Sequence, residues 1–209
     1  EGVKTTAAAL DRAYEASGSY LARIWSARRD VPVEAHVKAV LDALDPSLSP
    51  RLASDVLRAL VEAYARPALV VPPAVDEGAL AALDTLSARG FTLAVVSNTM
   101  RTPGVALRKL LEQYRLLGFF KHTTFSDEVG IRKPDPEIFH LTLRAVGGEP
   151  EHAVHVGDDT VLDVQGARAA GMRTIQVTNA SLRALGVQAP DAVIPRLAGL
   201  PEAVSALDR

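Results

Sequence analysis

Across residues 1–74 the apolar positions recur at helical spacing and at no other. Leu10, Tyr14, Ser17, Leu21 and Ile24 form a one-sided stripe over a long helix. Pro32 opens a second segment, with Val33, Val37, Val40, Leu41 and Leu44 on one face. Ser49-Pro50 reads as a cap followed by a proline at the first helical position, leading into Leu52, Val56, Leu60 and Ala63. Pro67 is expected to end that helix. The pattern predicts a module of three amphipathic helices.

From residue 75 the texture changes. Asp76 reads as an N-cap, with Val75 and Leu80 placed for a hydrophobic staple, and the helix it starts carries Leu83 and Leu86 to Gly90. Residues 91–96 are a short apolar run of strand type. Thr102-Pro103 caps a helix bearing Leu107, Leu110 and Leu111, and 123–125 is a weaker strand candidate. Asp135-Pro136 caps a helix through Phe139, Leu143 and Val146. Then come a strand at 153–156, a helix at 160–170, and strands at 174–177 and 192–194. Strands alternating with helices predict βαβ units: an α/β, Rossmann-like parallel sheet between two helical layers. The expected division is an all-helical cap at 1–74 and an α/β core at 75–209. In such sheets ligands bind beyond the carboxyl ends of the strands.

Composition narrows the classes of function. The chain has 209 residues and no cysteine, which excludes a disulfide framework, a cysteine nucleophile and thiolate metal sites. With 23 basic against 25 acidic residues the net charge is -2, so nothing is built to neutralise a nucleic acid. No apolar run approaches the roughly 20 residues of a membrane span, and no signal-peptide pattern opens the chain. The expectation is a soluble, cytoplasmic protein, monomeric or homodimeric, with neither nucleic acid nor membrane as partner.

Three strand-end loops carry polar chemistry. In the first, Ser97, Asn98 and Thr99 follow an apolar strand, where a hydroxyl and main-chain amides suit a phosphoryl oxygen. In the second, Lys133-Pro134-Asp135-Pro136, two prolines one residue apart fix the backbone around a lysine, one of only five in the chain. In the third, Asp158, Asp159 and Asp163 fall together after a strand; crowding carboxylates is costly unless a cation joins them. Magnesium, which takes oxygen ligands and keeps several waters, fits best. Together the loops describe equipment for phosphoryl transfer. His36, His122, His140, His152 and His155 have no ligand spacing and are expected to be structural.

At these residues the sequence resembles the haloacid dehalogenase-like hydrolases. Val95-Val96-Ser97-Asn98 matches that family's second motif, 132–139 (Arg-Lys-Pro-Asp-Pro-Glu-Ile-Phe) the third, and His155-Val156-Gly157-Asp158-Asp159 through Asp163 the fourth. The resemblance implies that Ser97 and Asn98 bind the phosphoryl group and that Lys133 steadies its charge. It further implies that Asp158 ligates magnesium and Asp163 supports the metal and the lysine, with Asp159 ranked below both. It also implies a small phosphorylated metabolite as substrate. The family's first motif, an Asp-x-Asp pair ending an apolar strand, has no counterpart here, since Asp42 and Asp45 lie in a helical stretch. That strand, whose first Asp would be the nucleophile, is expected upstream of Glu1, and the polypeptide without it is expected to be inactive. A haloacid dehalogenase and a non-catalytic binding or regulatory module are the alternatives. Of the cap residues, Trp25, Arg28 and Arg29 are possible substrate contacts, with a packed tryptophan at a helix end as the default. Lys4 and Lys38, the only cap lysines, give no sign of the apolar pocket a phosphonate hydrolase would need.

Overall fold

The computed structural model describes residues 4–178 and 188–207, so the outer limits of the expected division, residues 1 and 209, lie outside it. The N-terminal helices are α1 (Ala7–Ser26), α2 (Val33–Leu44), a short α3 (Leu48–Arg51), α4 (Ser54–Ala65) and a short α5 (Pro67–Val70). Ala13, Ser17 and Leu21 of α1 and Val33, His36 and Val37 of α2 are buried; Ser17, Leu21, Val33 and Val37 belong to the expected stripes, whereas Leu10 is exposed. The third helix starts later than its proline suggested. Asp45 accepts from Ser47 N through Oδ1 at 2.8 Å, and this turn, with Leu48 buried, places Ser49-Pro50 inside α3. α4 ends at Ala65, just ahead of Pro67 as expected, and Pro67 then opens α5, because a first-turn proline lacks only an N–H the helix would leave unpaired.

The α/β part begins with α6 (Ala79–Ala88) and β1 (Leu93–Ser97). It continues through α7 (Gly104–Gln113), β2 (Phe120–Phe125), α8 (Ser126–Val129), α9 (Pro136–Val146) and β3 (Val154–Gly157). A π-helical turn, Thr160–Gln165, runs into α10 (Gly166–Ala169), followed by β4 (Arg173–Val177), β5 (Ala192–Ile194) and α11 (Leu200–Leu207). Asp135 caps α9 as its position predicts, accepting from Glu137 N at 3.0 Å with Pro136 at the first helical position. Asp76 instead accepts from Gly78 N at 2.8 Å, so α6 starts later, and Val75 and Leu80 stay exposed without forming a staple. A side chain at Gly78 would sit 2.8 Å from Ala198 Cα, so the backbones touch there.

All strand pairs are parallel, in the orders β1-β2 and β3-β4-β5. One face packs Ala82 and Leu86 of α6 with Leu200 and Val204 of α11 over Ile175, Ile194, Val154 and Val156. The other packs Ile138 and Phe139 of α9 with Ala167 and Ala170, over Val96 and Met172. This is the expected α/β, Rossmann-like arrangement with helices on both faces. One feature departs from a normal sheet centre. Every residue of β1 and β3 is only half-buried, whereas Thr174, Ile175 and Gln176 of β4 are buried. Among the described residues β1 and β3 each have one ladder edge without a strand partner.

His36 is 1% exposed, edge-on to the rings of Trp25 and Tyr64, and neither ring nitrogen has a hydrogen-bond partner. Burial pushes its pKa down; Asp30 opposes and Arg132 adds to the shift. The unfolded chain therefore takes up a proton at His36 more readily, so this contribution to stability is lost as pH falls below about 6.5. Replacing His36→Phe keeps the ring and removes both unpaired nitrogens. Urea denaturation should find the variant about 1 kcal/mol more stable at pH 7 and less sensitive to acid between pH 6.5 and 5.

Candidate active site

Lys133 stands where the three polar loops meet. Its main chain is held from one side: Asn98, just beyond β1, accepts from Lys133 N through Oδ1 at 2.8 Å and donates Nδ2 to Lys133 O at 3.0 Å. Its side chain is held from the other, Nζ donating to Asp163 Oδ1 at 2.5 Å. Both side chains are nearly buried, at 12% and 6% exposure, so the lysine cannot swing freely into solvent. The Lys133–Pro134 peptide is cis. Lys133 thus bridges the ends of β1 and β3, both half-buried along their length and each with one open edge among the described residues.

Asp163 organises the acidic loop. Its Oδ1 also accepts from His155 Nε2 at 2.9 Å, and its Oδ2 accepts from Asp159 N at 3.0 Å. Burial alone would push its pKa up, but the His155 hydrogen bond and the Lys133 charge hold it well below the usual carboxylate range. Burial likewise pushes His155 down, so at neutral pH it is an uncharged donor wedged edge-on to Phe139 at 4.9 Å between centroids. Its sequence position suggests packing alone; its link to Asp163 places it under the site. Asp159 caps the following turn, accepting from Val161 N at 2.8 Å and Leu162 N at 2.7 Å. Asp158 is exposed at the end of β3, with its main-chain O accepting from Gln176 Nε2 at 3.1 Å.

Ser97 lies at the end of β1, its Oγ only 3.4 Å from Asn98 O, a weak contact that leaves the hydroxyl free to turn toward a ligand. The structure therefore gathers Ser97, Asn98, Lys133 and Asp163 in one chain of contacts, while Asp158 follows the end of β3. Among the described residues no group of three or more His, Asp or Glu side chains forms a metal cage. The donor chemistry nevertheless suits magnesium, which uses one or two carboxylates and fills its sphere with water and substrate oxygens. Asp158 has an open carboxylate for that purpose; Asp163 is committed to Lys133, His155 and the Asp159 amide.

Of the three cap residues, Trp25 is tied to the core through its side chain, whereas Arg28 and Arg29 are exposed. Trp25 Nε1 donates to Asp30 Oδ1 at 3.0 Å and its ring carries the Arg132 guanidinium at 4.4 Å, while Arg29 pairs with Ile131 as an antiparallel bridge. Asp30 and Ser126 give no signal in the sequence, because neither belongs to a motif and their partners are remote. Gly157 stands out there only as part of a motif. A methyl group at this position would overlap the Asp163 carboxylate, so the glycine is what lets the acidic loop close.

A fold of this kind, with a lysine fixed between a serine loop and an acidic loop, defines a class of hydrolase. A model of the haloacid dehalogenase-like hydrolase family matches residues 5–171, and the chain belongs to that family. It is 34% identical over 135 residues to the haloacid dehalogenase-like hydrolase domain-containing protein 3 of Xenopus laevis, covering 61% of this chain and 54% of that protein. It is 43% identical over 89 residues to a phosphoserine phosphatase of Thermus thermophilus, covering 43% of this chain and 34% of that one. The chain thus spans about half or less of these curated relatives. Among solved structures, a 2-haloacid dehalogenase of Pseudomonas syringae pv. Tomato DC3000 superimposes with a TM-score of 0.64 at 26% identity, covering 97% and 93% of the two chains. No helix among the described residues is long and apolar enough to cross a membrane.

Proposed function

We propose that the complete protein is a magnesium-dependent phosphatase acting on a small phosphorylated metabolite. The observation that carries this reading is Lys133, a cation fixed by Asn98 and Asp163 between the Ser97 loop and the acidic loop. Phosphoryl transfer asks the protein mainly to position groups and offset charge. The Ser97 hydroxyl and the Asn98 main-chain amide would hold phosphoryl oxygens; the Thr99 amide is already used, donating to Ser126 Oγ at 2.7 Å. Lys133 would offset the negative charge, and Asp163 with neutral His155 would keep its ammonium in place. Asp158 would hold magnesium, which when bound neutralises charge on the phosphate.

The nucleophile is proposed to come from a further strand between β1 and β3. What supports it is the pair of open, half-buried ladder edges, since unpaired main-chain groups taken out of water cost about 1–3 kcal/mol each. An aspartate at the end of such a strand would attack phosphorus as the leaving oxygen takes a proton from a neighbouring acid. Water would then release phosphate. The cap, 1–74, would close over the substrate and give selectivity, and 75–209 would carry the chemistry.

A second reading follows from the Pseudomonas relative, whose name is that of a dehalogenase. Carbon–halogen hydrolysis through the same nucleophile needs no metal, so the open Asp158 carboxylate favours the phosphatase. Assaying the complete protein on an aryl phosphate and on a short 2-haloacid separates the two. Phosphate release should occur, stop with chelator and return with magnesium, and Asp158→Asn should raise the magnesium requirement by about tenfold or more. Halide release unaffected by chelator would reject the phosphatase assignment.

A further inference from the structure

We propose that Asp30 is a positioning residue: its buried carboxylate ties the turn between α1 and α2 to two of the three site loops, the one after Ser97 and the one carrying Lys133, so that helical part and these loops hold one another in register. The side chain has no exposure, and its two oxygens accept from four donors on three segments. Oδ1 takes Trp25 Nε1 at 3.0 Å and Val31 N at 2.9 Å. Oδ2 takes Arg132 Nη1 at 3.0 Å and Ser126 Oγ at 2.5 Å.

Each core donor leads one step further to the site. Ser126 Oγ accepts from Thr99 N at 2.7 Å, two residues beyond Ser97, and Asp127 N returns a bond to Thr99 Oγ1 at 3.2 Å. Arg132 immediately precedes Lys133. The main chains close the same contact: Asp30 N donates to Gly130 O at 3.1 Å and Arg132 N to Arg28 O at 3.2 Å. Packing alone does not explain an ion pair here, because apolar residues of similar volume usually fill such a place at no loss of stability. What the carboxylate adds is direction: its acceptor positions fix where Ser126 and Arg132 point, and through them Thr99 and Lys133. The α1–α2 turn is therefore stapled to the core, and any movement of the other helices pivots about it.

Hydrogen exchange on this chain tests the coupling without reference to the reaction. Asp30→Asn keeps acceptors for Trp25 and Val31 but turns an amide toward Arg132. The Thr99 and Lys133 amides should exchange about tenfold faster or more, with Ile175 in β4 unchanged. Ser126→Ala cuts one arm only, and should speed Thr99 while leaving Lys133 as it was. Unchanged exchange at both amides, or equal acceleration that includes Ile175, would overturn the proposal. If Asp30→Asn does not fold, Trp25→Phe, which keeps the ring but removes a donor from Asp30 Oδ1 and touches neither Ser126 nor Lys133, decides alone: faster exchange at Thr99 and Lys133 with Ile175 unchanged supports the coupling, and a uniform or absent response rejects it. The turnover arm rests on the phosphatase reading. In the complete protein kcat per folded molecule should fall by about 30- to 100-fold with KM nearly unchanged, whereas a merely stabilising role would leave kcat unaltered. A wild type with no hydrolysis would sink the phosphatase reading and leave the exchange pattern to decide the role of Asp30.

Discussion

Gly157→Ala should remove nearly all hydrolysis from the complete protein although it adds a single methyl group. The residue needs no unusual backbone angle; what excludes a side chain is the Asp163 carboxylate, whose Cγ occupies the space. That carboxylate is not a flexible tip that can step aside. Its oxygens are fastened to Lys133, His155 and the Asp159 amide, and all three contacts must lengthen together if it moves. A displacement of about 1 Å in catalytic geometry costs on the order of 100-fold in rate. Breaking a buried ion pair costs about 3–5 kcal/mol of stability. The two losses are read separately, by aryl phosphate turnover corrected for folded fraction and by urea denaturation. Turnover within threefold of the wild type would mean that Asp163 does not set the site.

Lys133→Met should lower turnover by about 100- to 1000-fold, the usual effect of deleting one transition-state donor. Methionine keeps the length and the apolar stem while removing the charge, and Asn98 can still hold the loop through main-chain atoms. Asp163 would keep neutral His155 and one amide as donors, so its proton affinity should rise; the stability it contributes at neutral pH should fall, and less of it remains to be lost on acidification. Lys133→Arg should rescue poorly, because a planar guanidinium needs more room than a cavity shaped to an ammonium 2.5 Å from Asp163 provides. Carbon-13 NMR of the Asp163 carboxyl would report the change in titration, and a kinetic assay the loss in rate.

Local signals in the sequence locate elements well wherever the cause is itself local. Asp135-Pro136 starts α9 because the cap, the Glu137 N–H that donates to it and the first-turn proline lie within three residues. The strand-end loops are legible for the same reason: apolar runs stop abruptly where Ser97 and Asp158 begin. Ser49-Pro50 carries a comparable signal and misplaces α4, because burial of Leu48 and the Asp45 turn outweigh it. Asp30 is invisible because its core partners, Ser126 and Arg132, are 96 and 102 residues away, and nothing in a helix-turn sequence announces them. The three carboxylates of the acidic loop look equivalent by spacing. The family resemblance ranks them, and the geometry gives each its contacts: Asp159 caps the following turn, Asp163 anchors Lys133 and Asp158 is exposed.

The unmatched borders of β1 and β3 carry a consequence for handling the polypeptide. Each is a row of donors and acceptors ready to zip onto any extended segment, including one from a neighbouring molecule. In concentrated solution the chain is therefore adhesive by construction, and lending it a short synthetic peptide as a donor strand is the direct way to quench that stickiness.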